Sequence, residues 1–261
     1  MKIVRAAAAL VRLDTSFAGF LSIWLPVLSR TKNIRASTIA ALPLFFISFC
    51  TFIANDMTDM ERDRVNHPER PLARGDIAPG FAATLYFVCL FIALITIRFL
   101  VPFSAAFLYY LLLTISASYV HIVDRLPAVK APYVAAAIAL PVVIIVTYYP
   151  AETNLYVIAS AVFLFCLGKE LCMDLQDRPG DTISFMHRIA RNRVAGLAFA
   201  SQATALLLLI TQVRRFYDAM AFVLLTILLA RARRYWFIEN QPTKALALMK
   251  LQLLFGLYFV C

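Results

Sequence analysis

The stretch Asn55-Asp56-Met57-Thr58-Asp59-Met60-Glu61-Arg62-Asp63 decides the fold, because it follows the uncharged apolar run of residues 37–54. A run of that length is a membrane-helix signal, and the acids mark where it leaves the hydrocarbon. A second run repeats the arrangement. Glu170-Leu171-Cys172-Met173-Asp174-Leu175-Gln176-Asp177-Arg178-Pro179-Gly180-Asp181 follows the apolar segment that begins near residue 154. Carboxylates crowded beside a bilayer repel one another and lose hydration, so something positive must hold them. A hard divalent cation takes oxygen ligands and commonly carries phosphate groups. The two runs therefore predict chemistry on a phosphorylated, membrane-resident substrate.

The rest of the chain is built for lipid. Of 261 residues, 62% are hydrophobic and 15% charged, with a mean hydropathy of +0.78. A soluble domain would carry about 25% charged residues. The composition predicts one polytopic membrane domain spanning residues 1–261. The net charge of +10 resides between apolar spans, not in a patch or arm, which reads as topology-setting charge and excludes nucleic acid as a partner. The five cysteines lie in or beside apolar spans with no disulfide framework or metal-ligand spacing, and read as small packing residues. The three histidines are scattered and predict no metal site. The basic, alanine-rich N-terminus has no small-residue cleavage site after its first span and reads as a retained helix.

Runs long enough to cross ~30 Å of hydrocarbon fall near residues 8–29, 37–54, 80–98, 102–120, 133–150, 154–172, 194–213, 216–232 and 244–261. Nine transmembrane helices are expected, with no internal repeat. Eighteen of the 25 Lys and Arg residues lie in the N-terminal segment and even-numbered loops, against six in the odd-numbered loops. The positive-inside rule places the richer set in the cytoplasm. Residues 56–76 and 170–181 hold ten of the fifteen acids, and both runs then belong to the cytoplasmic side.

Spacing sharpens the expectation. If the second span continues helically, Asn55, Asp59 and Asp63 recur every four residues on one face, with Asp56 beside that stripe. Glu170, Asp174 and Asp177 follow spacings of four and three. Pro179-Gly180 should stop their helix near Asp177 and leave Asp181 on the following turn. Solvated helix ends usually mix signs, whereas these ladders concentrate acids. Mg²⁺ accepts one or two carboxylates plus phosphate oxygens, and Asn55 adds a neutral oxygen. Two such ladders can hold two ions around a diphosphate.

These residues resemble the UbiA-type superfamily of intramembrane prenyltransferases. Asn55-Asp56-x-x-Asp59-x-x-x-Asp63 followed by Asn66-x-Pro68-x-Arg70-Pro71-Leu72-x-x-Gly75 is similar to its first aspartate motif and downstream turn. Asp174-x-x-Asp177-x-x-Gly180-Asp181 is similar to the second. The resemblance implies an all-α bundle around a central cavity with a cytoplasmic cap. It implies Mg²⁺ as cofactor, an isoprenoid diphosphate as substrate and a lipophilic acceptor drawn from the membrane. Asn55, Asp56, Asp59, Asp63, Asp174, Asp177 and Asp181 are then the metal residues, with Asp56, Asp59, Asp174 and Asp177 catalytic. Arg12, Arg70, Arg125 and Lys130 are the expected diphosphate cations.

One departure stands out. The family often has a tyrosine followed five residues later by a phosphate-binding lysine, yet here Tyr119 is followed by Asp124. Arg125 or Lys130 can substitute. The Asn66-x-Pro68-x-Arg70-Pro71 turn and the Gly180-Asp181 ending resemble the glycerol-lipid, chlorophyll and homogentisate branches more than the hydroxybenzoate branch. Some superfamily members are terpene cyclases, which keep the carbocation within one substrate, and that is the alternative expectation. An ion or proton transporter fits less well, because transporter acids concentrate near the midplane. A lipid-binding scaffold has no use for two aspartate ladders.

Overall fold

A computed structural model describes residues 2–150, 152, 154–177, 191–214, 216–256 and 259. Among these residues the chain is all-helical and contains no strand. The helices are α1 (Lys2–Leu10), α2 (Leu13–Thr31), α3 (Ile34–Thr58), α4 (Met60–Asn66), α5 (Pro71–Arg74) and α6 (Pro79–Leu100). They continue with α7 (Phe103–Arg125), α8 (Lys130–Tyr148), α9 (Asn154–Asp177), α10 (Arg191–Ile210), α11 (Phe216–Phe237) and α12 (Pro242–Gly256).

Five of these are long and apolar enough to cross a membrane: α3, α6, α8, α9 and α10. A sixth span arises if α1 and α2, which meet at a 49° bend, count as one. The expectation of nine crossings is therefore only partly matched. The described apolar part of α7, Phe103–Tyr119, is shorter than a full span, and α11 and α12 are not among the five. Arg231, Arg233 and Arg234 sit within α11 and dilute its hydropathy. The first expected span, 8–29, is also not continuous. It breaks at Arg12, which adopts the left-handed conformation (φ 44°, ψ 60°).

The chain divides into two compact units, Met1–His121 and Ile122–Cys261. In the first, α3 packs between α2 and α6 while α1 rests on α5. Leu10, Val11, Ile53, Leu72, Ile77 and Ala82 form a small core beneath the acidic run. The Asn33 side chain caps α3 by accepting from the Ala36 amide at 3.1 Å. Pro43 lies inside α3 and loosens its ladder; in that turn the fully buried Tyr109 hydroxyl donates to the Ala40 carbonyl.

In the second unit α9 is central, packed by α8, α10 and α12, with α11 against α12. Gly168 sets the closest approach. A Cβ there would lie 2.7 Å from Gln202 Cγ and 2.8 Å from Ser201 Oγ, and nearer still to the Ala198 carbonyl oxygen. Only glycine lets α9 and α10 meet so tightly, as small residues do between membrane helices. Two buried glutamines pin neighbouring helices: Gln202 donates to the Phe165 carbonyl at 3.4 Å and Gln252 to that of Leu225 at 3.1 Å.

Candidate active site

The first acidic run is built at a helix break. Helix α3 ends at Thr58, Asp59 forms a bend, and α4 starts at Met60. Hydrogen bonds from Asp59 N to Asn55 O and from Asp63 N to Asp59 O, both 2.8 Å, carry the helical ladder through that bend. The acids of the run divide between two surroundings. Asp56 (2% exposed) and Asp63 (4%) are the buried pair, seven residues apart. Asp59 instead turns to Arg62 at 2.6 Å on a more open surface. The expected stripe of Asn55, Asp59 and Asp63 is thus replaced by Asp56 and Asp63 facing inward.

Two arginines hold that pair. Arg12 Nη2 donates to Asp56 Oδ1 at 2.9 Å, while its guanidinium lies 4.7 Å from the Phe52 ring centroid. Arg70 Nη1 donates to Asp63 Oδ2 at 2.6 Å and lies 3.4 Å from Asp56 Oδ1. One guanidinium therefore bridges two carboxylates, which a planar fork of donors permits. Local structure sets up both contacts. The left-handed break at Arg12 turns its side chain back toward α3. Pro71 at the start of α5 and Gly75 (φ 80°) at its end fold the 66–76 turn that presents Arg70. Burial pushes the Asp63 carboxyl above the ordinary carboxylate range; Arg70 opposes that rise without cancelling it.

The second run lies on the last two turns of α9. Glu170 and Asp174 are buried, one turn apart. Lys130, the first residue of α8, reaches Asp174 Oδ1 at 2.6 Å, and Lys169 Nζ lies 2.5 Å from Glu170 Oε1. The described part of this helix reaches Asp177, and the stop expected from Pro179-Gly180 lies outside the described residues. The side chains of Asp177, Asp124 and Arg125 lie outside the described residues, as does Asp181 entirely.

The resemblance singled out Arg12, Arg70 and Lys130 but not their partners. Arg12 and Asp56 are 44 residues apart, a distance across which periodicity carries no information. Lys169–Glu170 was missed as a pair altogether. The adjacency of Lys169 and Glu170 within an apolar segment was the available signal.

The donor set suits a hard cation. The Asn55 Oδ1 atom is buried and has no hydrogen-bond partner among the described residues, which leaves a neutral oxygen next to Asp56. Among the described residues, no three His, Cys, Asp or Glu side chains converge into a ready metal cage.

The family model described as the UbiA prenyltransferase family matches residues 15–254. The chain belongs to this family. Its members are prenyltransferases, and the long apolar helices make this one an integral, multi-pass membrane protein. The fold is similar to that of a UbiA homologue from Aeropyrum pernix K1 (TM-score 0.79, 16% identity, covering 95% of this chain and 97% of that one). It is also similar to a structure of digeranylgeranylglyceryl phosphate synthase (TM-score 0.72, 18% identity, 100% and 99% covered). A UbiA homologue from Archaeoglobus fulgidus bound to GPP and Mg²⁺ gives a TM-score of 0.69 at 13% identity, with 98% and 99% covered. No curated protein sequence matches the chain.

Proposed function

We propose that this member of the family is a Mg²⁺-dependent prenyltransferase. It takes an isoprenoid diphosphate from the membrane and transfers the prenyl group to a lipophilic acceptor on the cytoplasmic side. The observation that carries the reading is the buried Asp56–Asp63 pair, bridged by Arg70 and met at Asp56 by Arg12. Buried charge of this kind is costly and persists where function requires it. The likeness to a homologue bound to GPP and Mg²⁺ supports the same substrate class.

Asn55, Asp56, Asp59 and Asp63 from the first run, with Asp174, Asp177 and Asp181 from the second, would hold Mg²⁺. When bound, the metal neutralises the diphosphate and the charge that develops as it leaves. The remaining steps belong to the chain itself. Arg12, Arg70 and Lys130, with Arg125, donate to diphosphate oxygens and orient the leaving group; guanidinium forks suit such oxygens. The allylic C–O bond breaks and its electron pair leaves with diphosphate. The acceptor nucleophile forms the new bond to carbon and releases its proton. Apolar walls exclude water, which would otherwise quench the cation. Lys130 supplies the lysine that Asp124 displaces, six residues further on and already beside Asp174.

The test is product analysis with geranyl, farnesyl and geranylgeranyl diphosphates and Mg²⁺, with hydroxylated glycerol lipids as first acceptors. Acceptor-dependent prenyl transfer abolished by EDTA is the expected result. Cyclic hydrocarbon released without any acceptor would assign the terpene-cyclase alternative. No diphosphate release from any donor would overturn the reading.

A further inference from the structure

The carboxyl-terminal end of α11 carries chemistry that prenyl transfer does not use. Arg231, Arg233, Arg234 and Lys244 lie within fourteen residues that contain one acid, Glu239, a local excess of three positive charges. Arg234 pairs with Glu239 at 2.9 Å, while Arg233 is exposed and makes no ion pair among the described residues. Arg231 and Lys244 lie 5.8 and 5.7 Å from the Tyr235 ring centroid, so both cations gather on one aromatic residue. A cleft of about 330 Å³ is lined by Ala230, Arg233, Arg234, Phe237 and Ile238. Its walls are two guanidiniums and two large apolar side chains, both exposed.

The face leading to this cleft is apolar. Met220, Val223, Leu224 and Ile227 are exposed along α11 at helical spacings of three and four. Leu224 to Arg234 spans ten residues, about 15 Å along a helix axis. That is half of a ~30 Å hydrocarbon core, the depth of one leaflet. The expected span 216–232 ends where the cations begin. Topology-setting charge explains cations at a helix end. It does not explain an apolar cleft between them, or their gathering around one ring.

We propose that the outward face of α11 is a binding site for one anionic phospholipid. Its headgroup phosphate lies between Arg233 and Arg234, and an acyl chain runs along Ile227, Leu224 and Val223. Arg231 and Lys244 raise the local positive potential, and Phe237 and Ile238 cover the glycerol region. A protein segment would need matching acids at helical spacing. A free phosphate would have no use for the apolar strip. The site is independent of the transfer reaction.

The test is native mass spectrometry of the detergent-purified chain with phosphatidylglycerol and phosphatidylcholine of the same acyl chains, and with glycerol phosphate alone. The chain is expected to retain one phosphatidylglycerol preferentially, less so as salt rises. R233Q/R234Q should cut that preference roughly 25-fold, about five-fold per charge, from ~1 kcal/mol for each basic residue near an anionic surface. R233K/R234K should keep most of it, and R35Q, an exposed change elsewhere, all of it. Equal retention of both lipids would overturn the proposal, as would equal losses in the glutamine and lysine variants. Glycerol phosphate binding as tightly as the lipid would make this a small-anion site. A change of oligomeric state in R233Q/R234Q, without any lipid effect, would assign the face to a second copy of the chain.

Discussion

The two acidic runs solve one electrostatic problem by different means. In the first half, Asp56 and Asp63 are held by arginines that arrive from 44 and from seven or fourteen residues away, and one guanidinium serves both carboxylates. In the second half lysines take the place of the arginines, Lys130 at Asp174 and Lys169 at Glu170. The supporting structure differs in parallel. The first motif sits at a break in its helix and is shaped by turns; the second lies on a continuous helix fixed by the tight crossing at Gly168. A fork of donors ties two groups into one unit, whereas an ammonium is a point charge that can release its partner alone. The first motif should therefore respond as a unit to change, and the second residue by residue.

The largest expected effect tests that contrast in turnover. Asp56→Asn leaves two arginines without their shared carboxylate and should lower the rate on the order of 10²–10³-fold, by analogy with loss of one preorganised electrostatic contact. Asp174→Asn removes the carboxylate beside the Lys130 ammonium, a point charge and not a fork, and should lower it less. Equal losses under saturating Mg²⁺ would break the comparison. Next in size is packing. Gly168→Ala drives a methyl into the α10 backbone and should cost about 1–3 kcal/mol. Gly196→Ala, with open space around it, should stabilise by about 0.5–1 kcal/mol. Thermal unfolding in detergent ranks the two, and a tolerated Gly168→Ala would remove the tight crossing from the account.

Smaller effects sharpen the difference between fork and point charge. Arg70→Lys keeps the charge but can reach only one of its two carboxylates. It should raise the KM for the diphosphate about tenfold, whereas Lys130→Arg should change it much less. Similar shifts for both would show that charge alone matters. The smallest effect is in pH. Burial raises the Asp63 pKa above its ordinary 3.8, so within that window the folded chain binds more protons than the unfolded one. Stability then falls as pH rises from 3.8 through the folded value, and is level beyond it. Asp63→Asn lacks this dependence. Its melting temperature relative to the parent should rise through that window, and a constant difference would mean that Arg70 offsets the burial in full.

Much of this was legible in the residues. Apolar runs gave the helices, and the two aspartate motifs pointed to the family. The Arg12 break was not legible, because Leu10-Val11-Arg12-Leu13 reads as an uninterrupted helical stretch. The inward turn of Asp56 with Asp63 was hidden for a related reason. Asp56 and Asp63, seven residues apart, share one helix face, but period alone does not say which of the acid-bearing faces is buried. The pairings of Arg12, Arg70 and Lys130 come from tertiary contacts, which composition and period do not encode. Among the described residues five or six of the nine expected spans are long and apolar enough to cross a membrane, and α11 is not among them because it carries arginines within its length.

The left-handed residue between α1 and α2 is also the cation that meets Asp56. Glycine would suit that backbone better, yet glycine there would leave the carboxylate short of a partner. The tilt of the amino-terminal helix and the neutralisation of a buried acid thus depend on one pair of torsion angles. Any force that rocks α1 in the bilayer works as a lever on Asp56, with a charged fulcrum.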